Sequence, residues 1–513
     1  MRYRWILRRC CASLCILLGV VALAQADEPD PRYWRMDDIN AQFAAWQFQY
    51  PDIFHVESIG ASGLGESILL ARVSDNASTP EAEPRLLLHA AQHANECNGT
   101  GAVMKTIERL LQDYGSDPVS TQWVNELDLC FIPIVNIDGH RYVFGDLPNW
   151  QDWRKTLRDN NGNEQVDFPG DGVDLNRNWD WFWEDNDDTD PSSQKYKGPY
   201  PFSEPEIKAL RDFILEERPL LVVDYHSPVS ISWDNYIFYP WVSQHGWGNS
   251  PDYNIASDIA SRWASRTKDH NGSSFSSIFT WDSLPKEQCW VYGNTGIITY
   301  IMEISDHCWW TGANVDTIAT RVARGSEYLF ERSIEGPGIF GSVRNAVNGN
   351  PLVAEVRIEE LHGDEVGPRL TEARYGQYHR FTEDGNYNLS VTCDGFESAQ
   401  RQVSVGASWS KADFDLVPIP TGVEDIEGSF AWLSSPNPTR AGANVNFYVR
   451  ERAQNADLEL LDIRGRRIAW MGRNLDAGRR HALALPHDLA SGVYLLRARS
   501  GSQQWTHRVT VLR

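Results

Sequence analysis

A histidine and a glutamate stand three residues apart just after an apolar run, a spacing that allows both side chains to reach one metal ion. The run covers 86–91, the pair is His93 and Glu96, and a helical pattern follows over 101–114. Imidazole and carboxylate are both ligands of catalytic zinc, which usually takes three protein ligands and leaves one position for water. Isolated pairs of this kind also occur on solvated helix faces. The pair therefore predicts a metal site only together with a third ligand.

Two other apolar runs are followed by, or contain, residues that could complete such a site. The run 220–225 is followed by His226, which can be the third ligand or only a polar residue that closes a strand. Glu303 lies within the run 297–304. A carboxylate in a buried strand is costly unless it is paired or functional, and desolvation would raise its pKa toward the range of a general base.

Polar residues in loops offer further chemistry. Asn176 and Arg177 are adjacent, and an amide beside a guanidinium suits bidentate binding of a carboxylate, although a loop salt bridge is the alternative. Arg154 offers another cation, or else a surface charge. The acidic stretch 159–171 has oxygen side chains at roughly alternate positions and predicts either a calcium site or an acidic surface loop.

The elements that must position these residues alternate between apolar strands and amphipathic helices. Strands are predicted at 54–60, 66–73, 86–91, 127–136, 220–226 and 296–304, and helices at 33–50, 101–114, 203–216, 253–270 and 315–331. Strands without clean alternation, separated by helices, indicate a mixed, largely parallel sheet covered on both faces. The fold class is therefore α/β. Ligands of such sheets bind beyond the carboxyl ends of the strands, where His93, His226 and Glu303 fall.

Composition limits the partners of the chain. Its 513 residues include 47 Lys and Arg against 70 Asp and Glu, a net charge of -23. Binding to nucleic acid or to an anionic membrane needs clustered basic residues, so neither is expected. Residues 1–26 combine early arginines, a short apolar run and small residues before Asp27, which predicts a secretory signal peptide. No stable membrane insertion is expected, because the apolar run is shorter than a bilayer span.

Five cysteines follow the predicted signal peptide, at Cys97, Cys130, Cys289, Cys308 and Cys393. An odd number leaves at least one thiol outside any disulfide. Cys289 with Cys308 is the preferred pair.

Taken in order, the motifs resemble the zinc carboxypeptidases of the carboxypeptidase A/B family. The shared motifs are His93-x-x-Glu96, Asn136-x-Asp-Gly, Trp153-Arg154-Lys155, Asp174-Leu-Asn-Arg-Asn-Trp179, Tyr196-Lys-Gly-Pro199, His226-Ser227 and the late Glu303. The resemblance covers residues 32–332. It implies a catalytic domain with a mixed eight-stranded sheet flanked by helices, and one zinc ion.

The resemblance also implies a role for each residue of the set. It implies that His93, Glu96 and His226 bind zinc and that Asp174 orients the first histidine. Glu303 would take a proton from the attacking water, and Arg154 would stabilise the oxyanion. The terminal carboxylate would bind to Asn176 and Arg177, and the preference for a side chain would be set near Gln288. A tyrosine that the family often has before this last region is missing, since the sequence there is Phe279-Thr-Trp-Asp282.

Beyond residue 337 the pattern changes to short alternating strands, which predicts two small all-β sandwich domains. Residues 337–417 resemble the transthyretin-like domain of regulatory carboxypeptidases, and 418–429 form a linker. Residues 430–513 resemble the Ig-like C-terminal sorting domains of bacterial exported proteins. That resemblance implies outer-membrane secretion machinery as a partner and a location outside the cell or on its surface.

The sequence as a whole predicts a secreted zinc metallocarboxypeptidase that removes C-terminal residues from peptides or proteins. One alternative is a cell-wall peptidase that acts on peptidoglycan stem peptides, because the same scaffold resembles those hydrolases. The other is a surface binding protein without enzymatic activity, which the presence of Glu303 and all three zinc ligands disfavours.

Overall fold

The computed structural model describes residues 29–145, 153–227, 235–305, 308–419, 431–434, 439–449, 455–501 and 503–512. The predicted signal peptide, 1–26, and nearly all of the predicted linker, 418–429, lie outside these ranges. The described residues form two compact units. The larger unit extends to residue 344 and includes 351–391 and 400–414, and the smaller one contains 345–350, 392–399 and the residues from 415 onward.

The larger unit begins with a mixed succession of strands and helices. The strands are β1 (Phe54–Ala61), β2 (Ser67–Val73), β3 (Arg85–Ala90), β4 (Asp128–Ile132), β5 (Leu221–His226), β6 (Tyr236–Val242), β7 (Ser276–Trp281) and β8 (Ile298–Glu303). The helices are α1 (Met36–Gln49), α2 (Asn98–Asp113), α3 (Pro118–Glu126), α4 (Ile137–Val143), α5 (Pro205–Glu217), α6 (Tyr253–Arg266), α7 (Glu287–Thr295) and α8 (Ala313–Glu335).

These strands form one eight-stranded sheet in the order β1-β2-β4-β3-β5-β8-β6-β7. The central strands β4, β3, β5 and β8 are parallel, whereas β1 with β2, β2 with β4 and β6 with β8 are antiparallel. The predicted mixed eight-stranded α/β sheet is confirmed. The carboxyl ends of β3, β5 and β8 consequently meet at one edge of the sheet.

The centre of this sheet is fully enclosed. Every residue of β3 and β5 is buried. Helix α2 covers the sheet with an apolar face that includes Val103, Ile107 and Leu110. Gly99 lets the first turn of α2 approach the sheet closely, because an added Cβ would lie 2.6 Å from Tyr225 Cβ. Close packing therefore fixes the start of α2 against the end of β5.

The predicted helices and strands of this region are present, with ends shifted by a few residues. Helices α3, α4 and α7 and strands β6 and β7 were not predicted. They are short, and their burial comes from contacts distant in sequence, so local periodicity does not reveal them.

The rest of the larger unit is rich in β structure. The strands that lie wholly or partly in it are β9 (Gly338–Asn345), β10 (Glu355–Ile358), β11 (Gln377–Phe381), β12 (Gly385–Thr392), β13 (Ala399–Val405), β14 (Trp409–Lys411) and β15 (Phe414–Leu416). One sheet has the order β10-β12-β13, and another contains β11-β9-β14. Asp252, at the start of α6, accepts hydrogen bonds from Arg369, from Arg380 at 3.1 Å and from Tyr292 at 2.8 Å. This buried cluster joins the β structure to the α/β sheet region.

The smaller unit has its own hydrophobic core. Its strands are β16 (Ala431–Ser434), β17 (Thr439–Arg440), β18 (Asn444–Val449), β19 (Ala456–Asp462), β20 (Arg467–Leu475), β21 (Arg480–Ala484), β22 (Gly492–Ser500) and β23 (Gln503–Leu512). They form sheets in the orders β16-β18-β21 and β17-β23-β22-β19-β20. The core includes Phe447, Leu458, Leu460, Leu496 and Val509, all fully buried.

The predicted disulfide between Cys289 and Cys308 is wrong. The Sγ of Cys289 donates to the carbonyl oxygen of Trp281 at 3.4 Å, and the Sγ of Cys308 donates to the carbonyl oxygen of Ser227 at 3.6 Å. The two thiols are directed to carbonyl groups of different segments, which sequence position alone does not indicate.

Among the helices in the described ranges, none has both the length and the apolar character that crossing a bilayer requires.

Candidate active site

Two histidines and a glutamate converge at the carboxyl edge of the sheet. The chain leaves β3 through Ala91, whose φ of +56° places it in the left-handed region and turns the backbone toward His93 and Glu96. His226 is the last residue of the neighbouring parallel strand β5. His93 Nδ1 lies 2.9 Å from Glu96 Oε1, and His226 Nδ1 lies 2.9 Å from both His93 Nδ1 and Glu96 Oε2. Parallel neighbouring strands thus bring together ligands more than 100 residues apart.

The donor set of this centre fits one zinc ion. Two imidazole nitrogens and one carboxylate are ligand types of catalytic zinc sites, which bind zinc at about 2.0–2.2 Å. All three residues are buried, and their ligand atoms lie within 4.8 Å of one another. Burial alone would raise the pKa of Glu96, but the two histidines hold it well below its ordinary range. The two histidines thus favour the charged form of this buried carboxylate, which is the form that binds a cation.

Each histidine is oriented by a carboxylate on its far nitrogen. His93 Nε2 lies 3.1 Å from Asp174 Oδ1, and His226 Nε2 lies 2.6 Å from Asp224 Oδ2. Such contacts fix each ring with its Nδ1 directed to the other candidate ligands, where a metal ion would bind. Asp174 was predicted for this role and Asp224 was not. The sequence contains a signal for Asp224, because it stands two residues before His226 in an apolar strand, where a period of two places both side chains on one face.

The network behind His226 extends into the core. His89 Nε2 lies 2.9 Å from Glu287 Oε1, and Gln92 Nε2 donates to Asp224 Oδ2 at 2.7 Å and to Glu287 Oε2 at 2.5 Å. All four residues are fully buried. These buried hydrogen bonds hold Asp224 in place, and Asp224 in turn restricts the orientation of the His226 ring.

Glu303 ends β8 directly beside His226. The two residues are register partners in the parallel pair β5 and β8. Glu303 Oε2 is buried without a hydrogen-bond partner among the described residues. Burial raises the pKa of Glu303, against the opposite effect of His226. The structure thus provides a desolvated carboxylate at the metal centre, as a general base requires.

Arg154 connects two carboxylates of the centre. Its Nη1 donates to Glu96 Oε1 at 2.8 Å, and its Nε and Nη2 lie 3.1 Å and 3.0 Å from Asp174 Oδ2. These ion pairs hold the guanidinium beside the metal-ligand candidates.

Asn176 and Arg177 lie in a short 3-10 turn that follows Asp174. Asp174 Oδ1 accepts a hydrogen bond from the Asn176 amide at 2.9 Å, so one carboxylate orients both His93 and this turn. Asn176 Oδ1 accepts from the backbone amide of Glu287 at 3.1 Å. Arg177 Nη1 donates to the Asn176 carbonyl oxygen at 2.7 Å.

One cavity of about 520 Å³ contains these groups. Its polar lining consists of His93, Glu96, Arg154, Asn176, Arg177, His226, Thr280, Lys286 and Glu303. Its apolar lining consists of Phe238, Ile278, Phe279, Trp281, Leu284 and Ile301. The segment that lacks the family's tyrosine thus lines the cavity with aromatic residues.

Gln288 does not line this cavity. Its side chain is fully buried, and Nε2 donates to the carbonyl oxygens of Phe238 at 2.8 Å and Thr299 at 2.9 Å. Lys286, two residues earlier, does line it and was not singled out from the sequence. Helix α7 explains the difference, because its first turn directs Gln288 into the core.

The calcium site predicted in 159–171 finds no support. The Asp159 carboxylate accepts hydrogen bonds from backbone amides of its own loop, including Gly162 at 2.6 Å and Glu164 at 2.8 Å. Asp171 accepts from the amides of Asn160 at 2.9 Å and Asp167 at 2.8 Å. The carboxylates therefore hold the loop together, and the described part of the chain has its candidate metal clusters elsewhere.

The fold and this centre are those of an α/β metalloprotein with one metal ion at the carboxyl edge of a mixed sheet. Residues 39–312, more than half of the chain, match the zinc carboxypeptidase family, and the chain belongs to that family. Residues 435–512 match the secretion system C-terminal sorting domain.

Individual relatives match only part of the chain. Mouse carboxypeptidase A2 is 32% identical over 200 residues, which is 39% of this chain and 44% of the mouse protein. Bovine carboxypeptidase B is 29% identical over 184 residues, covering 36% of this chain and 42% of the bovine protein. The chain thus spans less than half the length of these relatives. The crystal structure of carboxypeptidase A from Helicoverpa armigera matches with a TM-score of 0.49 and 20% identity over 59% of this chain and 73% of the insect protein.

Proposed function

We propose that this protein is a secreted zinc metallocarboxypeptidase that hydrolyses the C-terminal peptide bond of peptides or proteins. One observation carries the proposal. The His93, Glu96 and His226 centre shares a cavity with the desolvated carboxylate of Glu303 and with the Asn176 and Arg177 pair. Membership of the zinc carboxypeptidase family supports the same reaction class.

The proposed metal ligands are His93, Glu96 and His226. A zinc ion bound there would polarise the scissile carbonyl group as a Lewis acid and would lower the pKa of the attacking water, which makes that water a better nucleophile. Asp174 and Asp224 hold the two imidazoles in the orientation that ligation requires.

Glu303 is the proposed general base. It removes a proton from the attacking water, and its raised pKa suits later transfer of that proton to the leaving amine. Its position beside His226 keeps the carboxylate at the centre throughout.

The cationic groups bind the parts of the substrate that are or become negative. Arg154, held by Glu96 and Asp174, stabilises the oxyanion that forms at the scissile carbonyl. Asn176 and Arg177 bind the free terminal carboxylate. Because that carboxylate exists only at a chain end, this pair restricts cleavage to the last residue.

The proposed location is outside the cell or on its surface. The match of 435–512 to a secretion sorting domain supports export, with outer-membrane secretion machinery as the partner.

The test is hydrolysis of N-blocked dipeptides that differ in their C-terminal residue. The zinc-loaded protein should cleave at least one of them, chelation should abolish cleavage, and Glu303→Gln should reduce kcat by about 10²–10⁴-fold. Glu216→Gln, an exposed carboxylate on α5, is the matched control and should be fully active.

Two results would overturn this function. Hydrolysis of peptidoglycan stem peptides without any dipeptide cleavage would make the protein a cell-wall peptidase. Peptide binding without hydrolysis of either substrate class would make it a binding protein.

A further inference from the structure

We propose that Lys286 selects substrates whose C-terminal residue has an acidic side chain, glutamate or aspartate. This inference rests on the proposed carboxypeptidase function and names its substrate class. Lys286 would bind the side-chain carboxylate, while Asn176 and Arg177 bind the terminal one.

The position of Lys286 places it beside the pair that binds the terminal carboxylate. It lines the same cavity as the metal centre and immediately precedes α7. The next amide, that of Glu287, donates to Asn176 Oδ1 at 3.1 Å. This hydrogen bond connects the start of α7 to the turn of Asn176 and Arg177. Lys286 and Arg177 are therefore held on one side of the cavity.

The charges in the cavity leave two cations for a ligand. Arg154 is occupied by Glu96 at 2.8 Å and Asp174 at 3.0 Å. Among the described residues, neither Arg177 nor Lys286 has a carboxylate within ion-pair distance, and Glu303, in the same cavity, attracts Lys286 from farther away. A half-buried cation without a carboxylate in direct contact is unfavourable, and a ligand that brings such a carboxylate is favoured. Two such cations fit a terminal residue with two carboxylates.

The surroundings of Lys286 add to this requirement. Burial, and then repulsion by Arg177, lower the pKa of its ammonium group. The charge of an acidic side chain would offset both effects, whereas a C-terminal lysine or arginine would add a third positive charge. A neutral apolar residue would leave the ammonium desolvated and unpaired.

The apolar lining suits the methylene groups of such a residue. Phe238, Ile278, Leu284 and Ile301 line the cavity together with Lys286. Apolar walls around the Lys286 ammonium select the substrate side chain by charge as well as by size, because they exclude the water that would otherwise solvate the ammonium.

The test measures kcat/KM for blocked dipeptides with one constant penultimate residue and C-terminal Glu, Asp, Gln, Leu, Phe or Arg, using the zinc-loaded full chain. The wild type should prefer Glu over the isosteric Gln by roughly 100-fold. In Lys286→Gln this ratio should fall below about tenfold while cleavage of the Leu substrate is retained. Lys195→Gln, an exposed lysine, is the matched control and should keep the wild-type ratio.

A second measurement does not depend on a variant. Free L-glutamate should inhibit the wild type more strongly than L-glutamine or L-leucine does. Preference for Leu, Phe or Arg in the wild type, an unchanged Glu-to-Gln ratio in Lys286→Gln, or stronger inhibition by L-leucine would overturn the role of Lys286. Failure to cleave any substrate would instead overturn the carboxypeptidase function itself.

Discussion

At the scale of single residues, the metal centre depends on groups that do not touch the metal. Asp224 lies 2.6 Å from His226 Nε2 and is itself held by Gln92 at 2.7 Å. A carboxylate in this position fixes the tautomer and the direction of the imidazole. Asp224 is therefore a positioning residue for His226.

Asp224→Asn should weaken zinc binding by about 10–100-fold, because an amide orients and polarises the imidazole less well than a carboxylate does. Competition with a chromophoric chelator measures this affinity directly. Asp258→Asn, an exposed change on α6, is the control. Equal zinc affinity in Asp224→Asn and the wild type would show that Asp224 does not position His226.

A second residue-scale prediction concerns pH. Burial raises the pKa of Glu206 to about 7, against the amide of Gly63, which donates to its Oε1 at 2.8 Å. Between pH 4.5 and about pH 7, Glu206 of the folded protein therefore keeps a proton that the unfolded chain, with an ordinary pKa of 4.5, has already released. Glu206 thus lowers the free energy of unfolding as the pH rises from about 4.5 to about 7.

Glu206→Gln removes this titration. Relative to the wild type, the variant should gain up to roughly 3 kcal/mol in free energy of unfolding between pH 4.5 and pH 8. Urea unfolding at a series of pH values measures the difference, with the exposed Glu216→Gln as control. A difference that does not change with pH would contradict the buried protonated state of Glu206.

At the scale of elements, close packing between α2 and the sheet positions the ligands. A Cβ added at Gly99 would lie 2.6 Å from Tyr225 Cβ, 3.0 Å from Ala90 Cβ and 3.1 Å from the Tyr225 carbonyl oxygen. These atoms belong to two central strands and cannot rotate away. The helix would have to move from the strand that carries His226.

Gly99→Ala should therefore destabilise the protein by about 1–3 kcal/mol, as overpacking does, and should also weaken zinc binding. Thermal unfolding and chelator competition measure the two effects. Gly101→Ala in the same helix should cost much less, because among the described residues its Cβ would approach only Ala319 Cβ, at 3.3 Å, and alanine favours a helix. Similar losses in the two variants would contradict the close approach at Gly99.

At the scale of the whole molecule, the two compact units have separate cores. His93, Glu96 and His226 all belong to the larger unit. The smaller unit buries Phe447, Leu458 and other apolar residues in a core of its own. A ligand that binds only one unit stabilises only that unit.

Scanning calorimetry should consequently show two transitions, of which chelation lowers only one. At a zinc concentration about 100 times its dissociation constant, the loss would be about 2.7 kcal/mol for the larger unit. Re-addition of zinc should restore the shifted transition. A single transition, or equal shifts of both, would contradict separate unfolding of the two units.

Much of this protein can be predicted from its sequence, because the decisive signals are local. Apolar runs mark β3, β5 and β8, and the residues at their ends follow from reading along the chain. That His93, Glu96, His226 and Glu303 meet follows from parallel strands, whose carboxyl ends share one edge. Motif order was sufficient for the family, which residues 39–312 match.

Tertiary structure decided the features that depend on contacts between distant segments. The family resemblance placed substrate preference near Gln288, whereas the first turn of α7 buries that side chain and leaves Lys286 in the cavity. The thiols of Cys289 and Cys308 likewise point to different carbonyl groups. A linear pattern records which side chains exist and how far apart they stand along the chain. The direction of each side chain depends on helix phase and packing, which the folded chain fixes.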